Sequence, residues 1–333
     1  MKDVTIRDVA KAANVSIATV SRVLRGKGNV SEETRKQIAE AIRATNYRIP
    51  PNLDRSLLAE DGLIYYIMRS ASVNKYSQLL NQEMVLAAGR QGLRVVSANV
   101  ETREHDFQDD LLACLHQAQR IGVRGMILSG FAEKLLPPAV IQTLLDAQLP
   151  IVMINRTFSD YSFYRVLTGS ERGAYAAAQY MLENGRRHLL MVTYPDHTGK
   201  RAGFERAVSA WSGDTVTSQV LSAGEDSFDC CKAVLAGALK ADPGLDGILC
   251  CSDEQAACML RALHEIGKKV PDDVVLIGFN DNLAPFLSPP ISSVHVPLAD
   301  IAATAIDLFL EQENKQNPSP AKSVMLDPQL IIR

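Results

Sequence analysis

Along the first 48 residues apolar positions recur every three or four places; from about position 61 they gather into short β-branched runs between amphipathic stretches. In TIRDVAKAA, Ile6, Val9, Ala10 and Ala13 share one helical face, with Thr5 placed to cap it. Asn14 interrupts as a turn residue. Ser16 can cap a second helix running from Ile17 to about Leu24, and Val15, Val20, Val23 and Leu24 fall on one side of it. A third segment opens at Ser31 with an acidic first turn and aligns Ile38, Ala41, Ile42 and Tyr47. Two short helices joined by a tight turn and braced by a third predict a helix-turn-helix unit, in which the second helix enters the DNA major groove. An ordinary three-helix satellite fits the same spacing.

The later runs are LIYYIM (63–68), LRVVSANV (93–100), GMILS (125–129), PIVMIN (150–155), HLLMV (188–192), DGILCC (246–251) and DVVLIGF (273–279). Helical periodicity fills 77–91, 106–120, 138–147, 171–184, 201–211, 227–240 and 253–267. Buried strands alternating with helices predict an α/β class: two doubly wound parallel-sheet lobes behind a small all-α headpiece. No strand is followed by G-x-G-x-x-G, and GKRAG (199–203) lacks P-loop spacing.

Composition narrows the function. A chain of 333 residues, 47% hydrophobic and 22% charged, suits two or three globular domains. No apolar run spans a membrane and the N-terminus lacks a secretory core, so a cytoplasmic, nucleoid-associated protein is expected. The six cysteines form no C-x-x-C and the six histidines no H-x-x-H, so neither metal nor cofactor is expected. With no nucleophile, acid/base pair or cofactor loop in evidence, an enzyme is not expected. Charge is uneven: residues 1–60 carry 11 Lys/Arg against 7 Asp/Glu, and the remainder 24 against 31. A basic head on an acidic body suits a polyanionic partner. Short side chains at Ser16, Ala18, Thr19 and Ser21 let the second helix approach a duplex closely, and Arg22 can reach a guanine edge with two hydrogen bonds.

VAKAANVS, ATVSRVL and VSEETR together resemble the headpiece of the LacI family of bacterial transcription regulators. The resemblance implies base-reading by Ile17, Ala18 and Arg22, and backbone contacts by Thr5, Ser16, Thr19, Ser21, Ser31 and Thr34. In the family a hinge helix follows and wedges a leucine into the minor groove. Here NYRIPPNLDRSLLAEDG makes Leu57 that wedge, with Asp54 where the family prefers alanine and one additional residue before Pro50. A plain linker, or a hinge shifted to Leu58, are the alternatives.

Extended over the body, the resemblance implies a headpiece at 1–48, a linker at 49–60 and an effector-binding and dimerisation domain at 61–333. Its N-lobe would take about 61–158 and 292–318, its C-lobe 159–291 and 319–333, with ligand in the crevice between them. Family pocket positions carry over to Asn74, Tyr76, Asn155, Arg156, Arg201, Phe228 as an aromatic platform, Ser252 and Asn280. Carboxylates usual in the family are replaced by Asn155, Asn280 and Gly169, with Ser170 replacing the usual asparagine beside Gly169, while Arg201, Lys200, Arg156 and Arg172 remain. That exchange suits an anionic effector such as a phosphorylated sugar or sugar acid; a neutral sugar held by amides and a pocket of little affinity are the other readings. Asp253 and Glu254 are explained as acidic residues at a helix start. No heptad tail follows the last expected strand, so a homodimer on a near-palindromic operator is expected, probed by a carbohydrate-like effector and acting as a repressor. A small-molecule-binding protein of the same fold without DNA function is the rival.

Overall fold

The computed structural model describes residues 4–25, 30–45, 47, 49, 62–70, 75–101, 107–131, 136–147, 149–155, 161–194, 198–224, 226–313 and 320–333. Leu57, Asn74 and Arg156, with Asp54 and Leu58, lie outside them.

Three helices open the chain: α1 (Ile6–Ala12), α2 (Ile17–Leu24) and α3 (Glu32–Thr45). Between α1 and α2 the chain turns through Asn14 at φ 52°, a left-handed conformation that asparagine tolerates. The Asn14 amide donates to the Lys11 carbonyl at 3.3 Å and the Val15 amide to the Ala10 carbonyl at 3.0 Å, so the last carbonyls of α1 are satisfied. Ser16 then caps α2, its Oγ accepting from the Thr19 amide at 3.0 Å. Ser31 repeats the device on α3, accepting from the Thr34 amide at 3.3 Å. Val9, Ala10, Val20, Val23, Leu24, Ile38 and Ile42 close a small core among the three helices.

The body continues with β1 (Leu63–Ser70), α4 (Lys75–Arg90), β2 (Arg94–Glu101), α5 (Phe107–Ile121), β3 (Met126–Ser129), α6 (Pro138–Asp146), β4 (Ile151–Ile154) and β5 (Tyr164–Thr168). Then come α7 (Ser170–Glu183), β6 (His188–Thr193), α8 (Thr198–Ala210), β7 (Thr217–Ser222), α9 (Phe228–Ala241), β8 (Gly247–Cys250), α10 (Asp253–Glu265), β9 (Val275–Asn280) and β10 (Ser292–His295). The chain finishes with α11 (Leu298–Glu313), β11 (Ser323–Leu326) and β12 (Gln329–Ile331). One sheet runs β11-β5-β4-β3-β1-β2 and the other β12-β10-β9-β8-β6-β7. Strand pairing is parallel throughout the interiors, and β12 lies antiparallel on β10. The fold is therefore mixed α/β: two six-stranded, mainly parallel sheets with an N-terminal helical headpiece.

Compact units divide the chain at Met1–Leu167 with Leu298–Val324, and at Thr168–Pro297 with Met325–Arg333. In the first, β3 and β4 are buried along their whole length because helices cover both faces. Helix α11 docks there through Phe309, whose ring fills the space a side chain at Gly125 would need. The Gln312 side chain accepts the Ile151 amide at 3.0 Å, and Glu313 pairs with Arg124. In the second unit, β6, β8 and β9 form the sheet interior, and α9 and α10 bury Cys231, Leu235, Met259 and Leu263 against it. All six cysteines are free thiols, three of them buried as small apolar residues. Among the described residues no helix is long and apolar enough to cross a membrane.

Candidate functional site

Burial of Val20, Val23 and Leu24 decides which side of α2 faces out. At about 100° per residue, Ile17, Ala18 and Arg22 come to one outer face, all three exposed, with half-buried Ser21 between Ile17 and Ala18. Ile17 leaves 45% of its surface in solvent. The cap hydroxyls border this face. Ser16 Oγ and Thr19 Oγ1 lie 2.8 Å apart, as do Ser31 Oγ and Thr34 Oγ1. Each pair shares one hydrogen, which leaves one O–H per pair to donate to a phosphate. Thr5 differs: Asp8 accepts both its amide and its hydroxyl at 2.8 Å, so its donor is already engaged in capping α1. Replacing Ser16 by alanine is expected to cost about 1 kcal/mol, read as a lower melting temperature of the headpiece helices by circular dichroism.

The second candidate site lies at the carboxyl ends of β6, β8 and β9, where open parallel sheets place their ligands. Helix α8 begins at Thr198, three residues before the expected start, and this sets which basic residue turns inward. Arg201 points away and pairs with Glu205 at 2.8 Å. Lys200 takes the inward place instead: its Nζ donates to the Cys251 carbonyl at 2.7 Å and stands 3.7 Å from the Phe279 ring centre. Burial depresses its pKa; Cys251, Asp253 and Glu254 pull the other way.

A similar correction applies to Phe228. Its ring packs on the core of the second sheet, with the Arg261 guanidinium 3.9 Å from its centre, so it is covered by a cation rather than offered to a ligand. The residue that joins the strand ends from this loop is Asp226. Its carboxylate takes a hydrogen bond from the Tyr194 hydroxyl and a longer one, 3.3 Å, from Ser252 Oγ. Ser252 also caps α10 by accepting the Gln255 amide at 3.0 Å. Burial, with the nearby Glu254 charge, raises Asp226 to a pKa of about 6 from 3.8, against a lowering contribution from Ser252. The folded chain therefore holds this proton more tightly than the unfolded chain, and raising the pH from about 4 through about 6 removes stability. Urea midpoints across that interval are expected to fall less in Asp226→Asn than in the parent.

Asn280 ends β9 at φ 96° and Asp281 follows at φ 58°. Asp281 is held by Arg333 Nη1 at 2.7 Å and lies 3.3 Å from His295 Nδ1. Beneath this turn sits Asp253, fully buried. Its Oδ2 accepts the amides of Asn282, Leu283 and Ala284 at 2.7–3.0 Å, and its Oδ1 accepts Ser293 Oγ at 2.6 Å. Its place at the start of α10 fits the dipole, but its main work is to fix the turn beside Asn280. In the first unit, Asn155 at φ 59° follows β4 and its Nδ2 donates to the Tyr76 hydroxyl at 2.5 Å, uniting two expected pocket residues. Gly169 and Ser170 begin α7; Arg172 on the same turn pairs with Asp327 at 2.5 Å.

Thr217, His188 and Asp242 form the nearest likeness to a catalytic triad, at the amino ends of β6 and β7. Thr217 Oγ1 and Asp242 Oδ2 both contact the same ring nitrogen, His188 Nδ1, at 3.0 and 2.8 Å. Activation of a hydroxyl needs the two on different nitrogens, so this cluster is a surface staple.

Residues 5–52 match the family described as bacterial regulatory proteins, lacI family, and residues 178–333 match a periplasmic binding protein-like domain. The ribose operon repressor of Halalkalibacterium halodurans is 29% identical over 99% of this chain and 96% of that protein. Among solved structures, a transcriptional regulator CelR–cellobiose complex superposes with a TM-score of 0.68 at 22% identity, covering 99% of each chain. A Lac repressor dimer bound to operator and the anti-inducer ONPF gives 0.68 at 20% identity, over 99% of this chain and 98% of that one. Residues 5–52 thus match the lacI family of bacterial regulatory proteins, and the C-terminal part of the chain matches a periplasmic binding protein-like domain.

Proposed function

We propose that this protein is a transcriptional repressor that grips a near-palindromic operator as a homodimer in the cytoplasm and changes its grip when a small carbohydrate-like effector binds. The carrying observation is the outer face of α2, where Ile17, Ala18 and Arg22 stand exposed on a helix whose other side is locked into a core. The hinge role of Leu57 and the pocket roles of Asn74 and Arg156 belong to the same proposal. Relatives named for ribose and solved with cellobiose support a sugar as effector class.

The geometry favours a neutral, hydroxyl-rich effector over the anionic one suggested by the sequence. Two arginines that would meet an anion are paired with Glu205 and Asp327. Asp226 and Glu254 add negative charge beside Ser252, and such carboxylates accept from hydroxyls while repelling phosphate. Calorimetry with matched neutral and phosphorylated sugars tests this; tighter binding of the phosphorylated member overturns it. No covalent chemistry on the effector is needed for regulation: a ligand that prefers one of two states shifts the population. Selection of bound duplexes from a random pool, with and without a sugar panel, tests the whole reading. Enrichment of a two-half-site sequence supports it, whereas sugar binding without any duplex preference would favour the rival binding protein.

A further inference from the structure

Helix α2 reads IATVSRVL, and its first two residues, Ile17 and Ala18, stand exposed on the side turned away from the headpiece core. In a helix-turn-helix unit the N-terminal residues of the second helix meet base edges in the major groove. The chemistry that α2 brings there is narrow. Paired contact with adenine calls for Asn or Gln, and accepting from the cytosine N4 group calls for Asp or Glu; α2 contains none of the four. Arg22 has the two donors that suit guanine. Ser21, between Ile17 and Ala18, carries a hydroxyl that either donates or accepts, so it serves thymine O4 as readily as cytosine N4. The hydroxyls at the helix start are engaged in capping: Ser16 Oγ accepts the Thr19 amide at 3.0 Å and lies 2.8 Å from Thr19 Oγ1. Ile17 and Ala18 themselves neither donate nor accept. What an isoleucine can favour in the groove is an apolar group, and the sizeable one that a base offers is the methyl on C5 of a pyrimidine.

We propose that Ile17, with the short Ala18 beside it giving room, reads the C5-methyl group of a pyrimidine rather than the identity of the base, so that 5-methylcytosine can take the place of thymine in the operator. This rests on the regulator reading above and goes beyond it, because cytosine methylation at that position then strengthens the grip without any effector. The argument is one of differences. Thymine and deoxyuridine differ by the methyl alone. Thymine and 5-methylcytosine differ by O4 against N4, which a hydrocarbon side chain cannot tell apart by hydrogen bonding. Ile17 has the surface to cover a methyl, 45% of it being open in the free headpiece. Burying one methyl group there is expected to raise affinity about fourfold per half-site.

The test starts from the duplex that the intact protein enriches from a random pool. Each pyrimidine of a half-site is exchanged in turn among thymine, deoxyuridine, cytosine and 5-methylcytosine, with the matching purine opposite, and affinity is read by fluorescence anisotropy at one salt concentration. At the position under Ile17, thymine and 5-methylcytosine are expected to bind alike, and deoxyuridine and cytosine about fourfold more weakly. In Ile17→Ala the ratio of thymine to deoxyuridine should fall toward one at that position. The headpiece should stay folded, checked by circular dichroism, because Ile17 lies outside its core. A duplex in which no position separates thymine from deoxyuridine overturns the proposal. So does 5-methylcytosine binding as weakly as cytosine where thymine is favoured, or a methyl preference unchanged in Ile17→Ala. An enriched duplex indifferent to the methyl removes only this inference; failure to enrich any duplex removes the regulator reading and this with it.

Discussion

Asp253→Ala is expected to destabilise the second unit by roughly 3–5 kcal/mol, the range for breaking a buried charge network. The carboxylate is fully buried and accepts four hydrogen bonds, three from consecutive backbone amides. Alanine removes every acceptor at once and leaves the amides of Asn282, Leu283 and Ala284 without partners. Space is equally constrained: a side chain at Gly278 would strike Asp253 Oδ1. Asp253→Asn is expected to cost less. One carboxamide oxygen still serves the amides, but the NH2 group then faces Ser293 Oγ, which already accepts the Asp281 amide at 3.2 Å.

Asp229→Ala supplies the contrast. Asp229 also stands in the first turn of a helix, α9, but exposed. Its loss is expected to cost only the dipole contribution, about 0.3–1 kcal/mol. Urea unfolding separates the two. Similar losses for Asp253→Ala and Asp229→Ala would return Asp253 to a simple helix-start residue. A large loss with an unchanged slope against urea supports the buried hub.

Asp253 also marks where sequence reading ended. Strands β3, β4, β6, β8 and β9 were legible because helices bury both faces, and such strands are written as unbroken β-branched and aliphatic runs. Strand β7, TSQVLS, was not: it lies at a sheet edge with three of six residues exposed, so no apolar run is needed. Strand β10, SSVH, was missed for the opposite reason. Ser292 and Ser293 are buried, but hydrogen bonds to the Arg333 amide and to Asp253 replace apolar packing. Satisfaction of buried polar groups depends on partners far away in sequence, which a local pattern does not display.

The sites divide the same way. In the headpiece all contacts are local, so caps at Ser16 and Ser31 and the outward face of α2 followed from spacing alone. At the strand ends, one residue of register decided the chemistry. Lys200 and Arg201 are adjacent, and a helix sends adjacent side chains about 100° apart, so identity could be transferred correctly to the motif and still land on the wrong cation. Asp226 and Phe228 are separated by the start of α9, and the ring turned to the core while the carboxylate turned to Ser252.

The second large effect is expected on DNA. Arg22→Ala should weaken specific operator binding by roughly 1–3 kcal/mol, about 5- to 150-fold per headpiece. Arg22 sits in the last turn of α2, exposed, one helical turn beyond Ala18 and on the face that Ile17 begins. Two short or apolar side chains there let the helix seat deeply, and one long, planar cation reads the base edge. The signature should be loss of discrimination rather than loss of attraction. Binding to random duplex should fall by no more than one phosphate contact's worth, and the slope of log affinity against log salt should change by about one or less. Arg22→Lys should recover attraction but not discrimination, because an ammonium cannot make the paired contact with guanine. If Arg22→Ala lowers binding to operator and random duplex by the same factor, Arg22 touches phosphate. The reading face of α2 then reduces to Ile17 and Ala18.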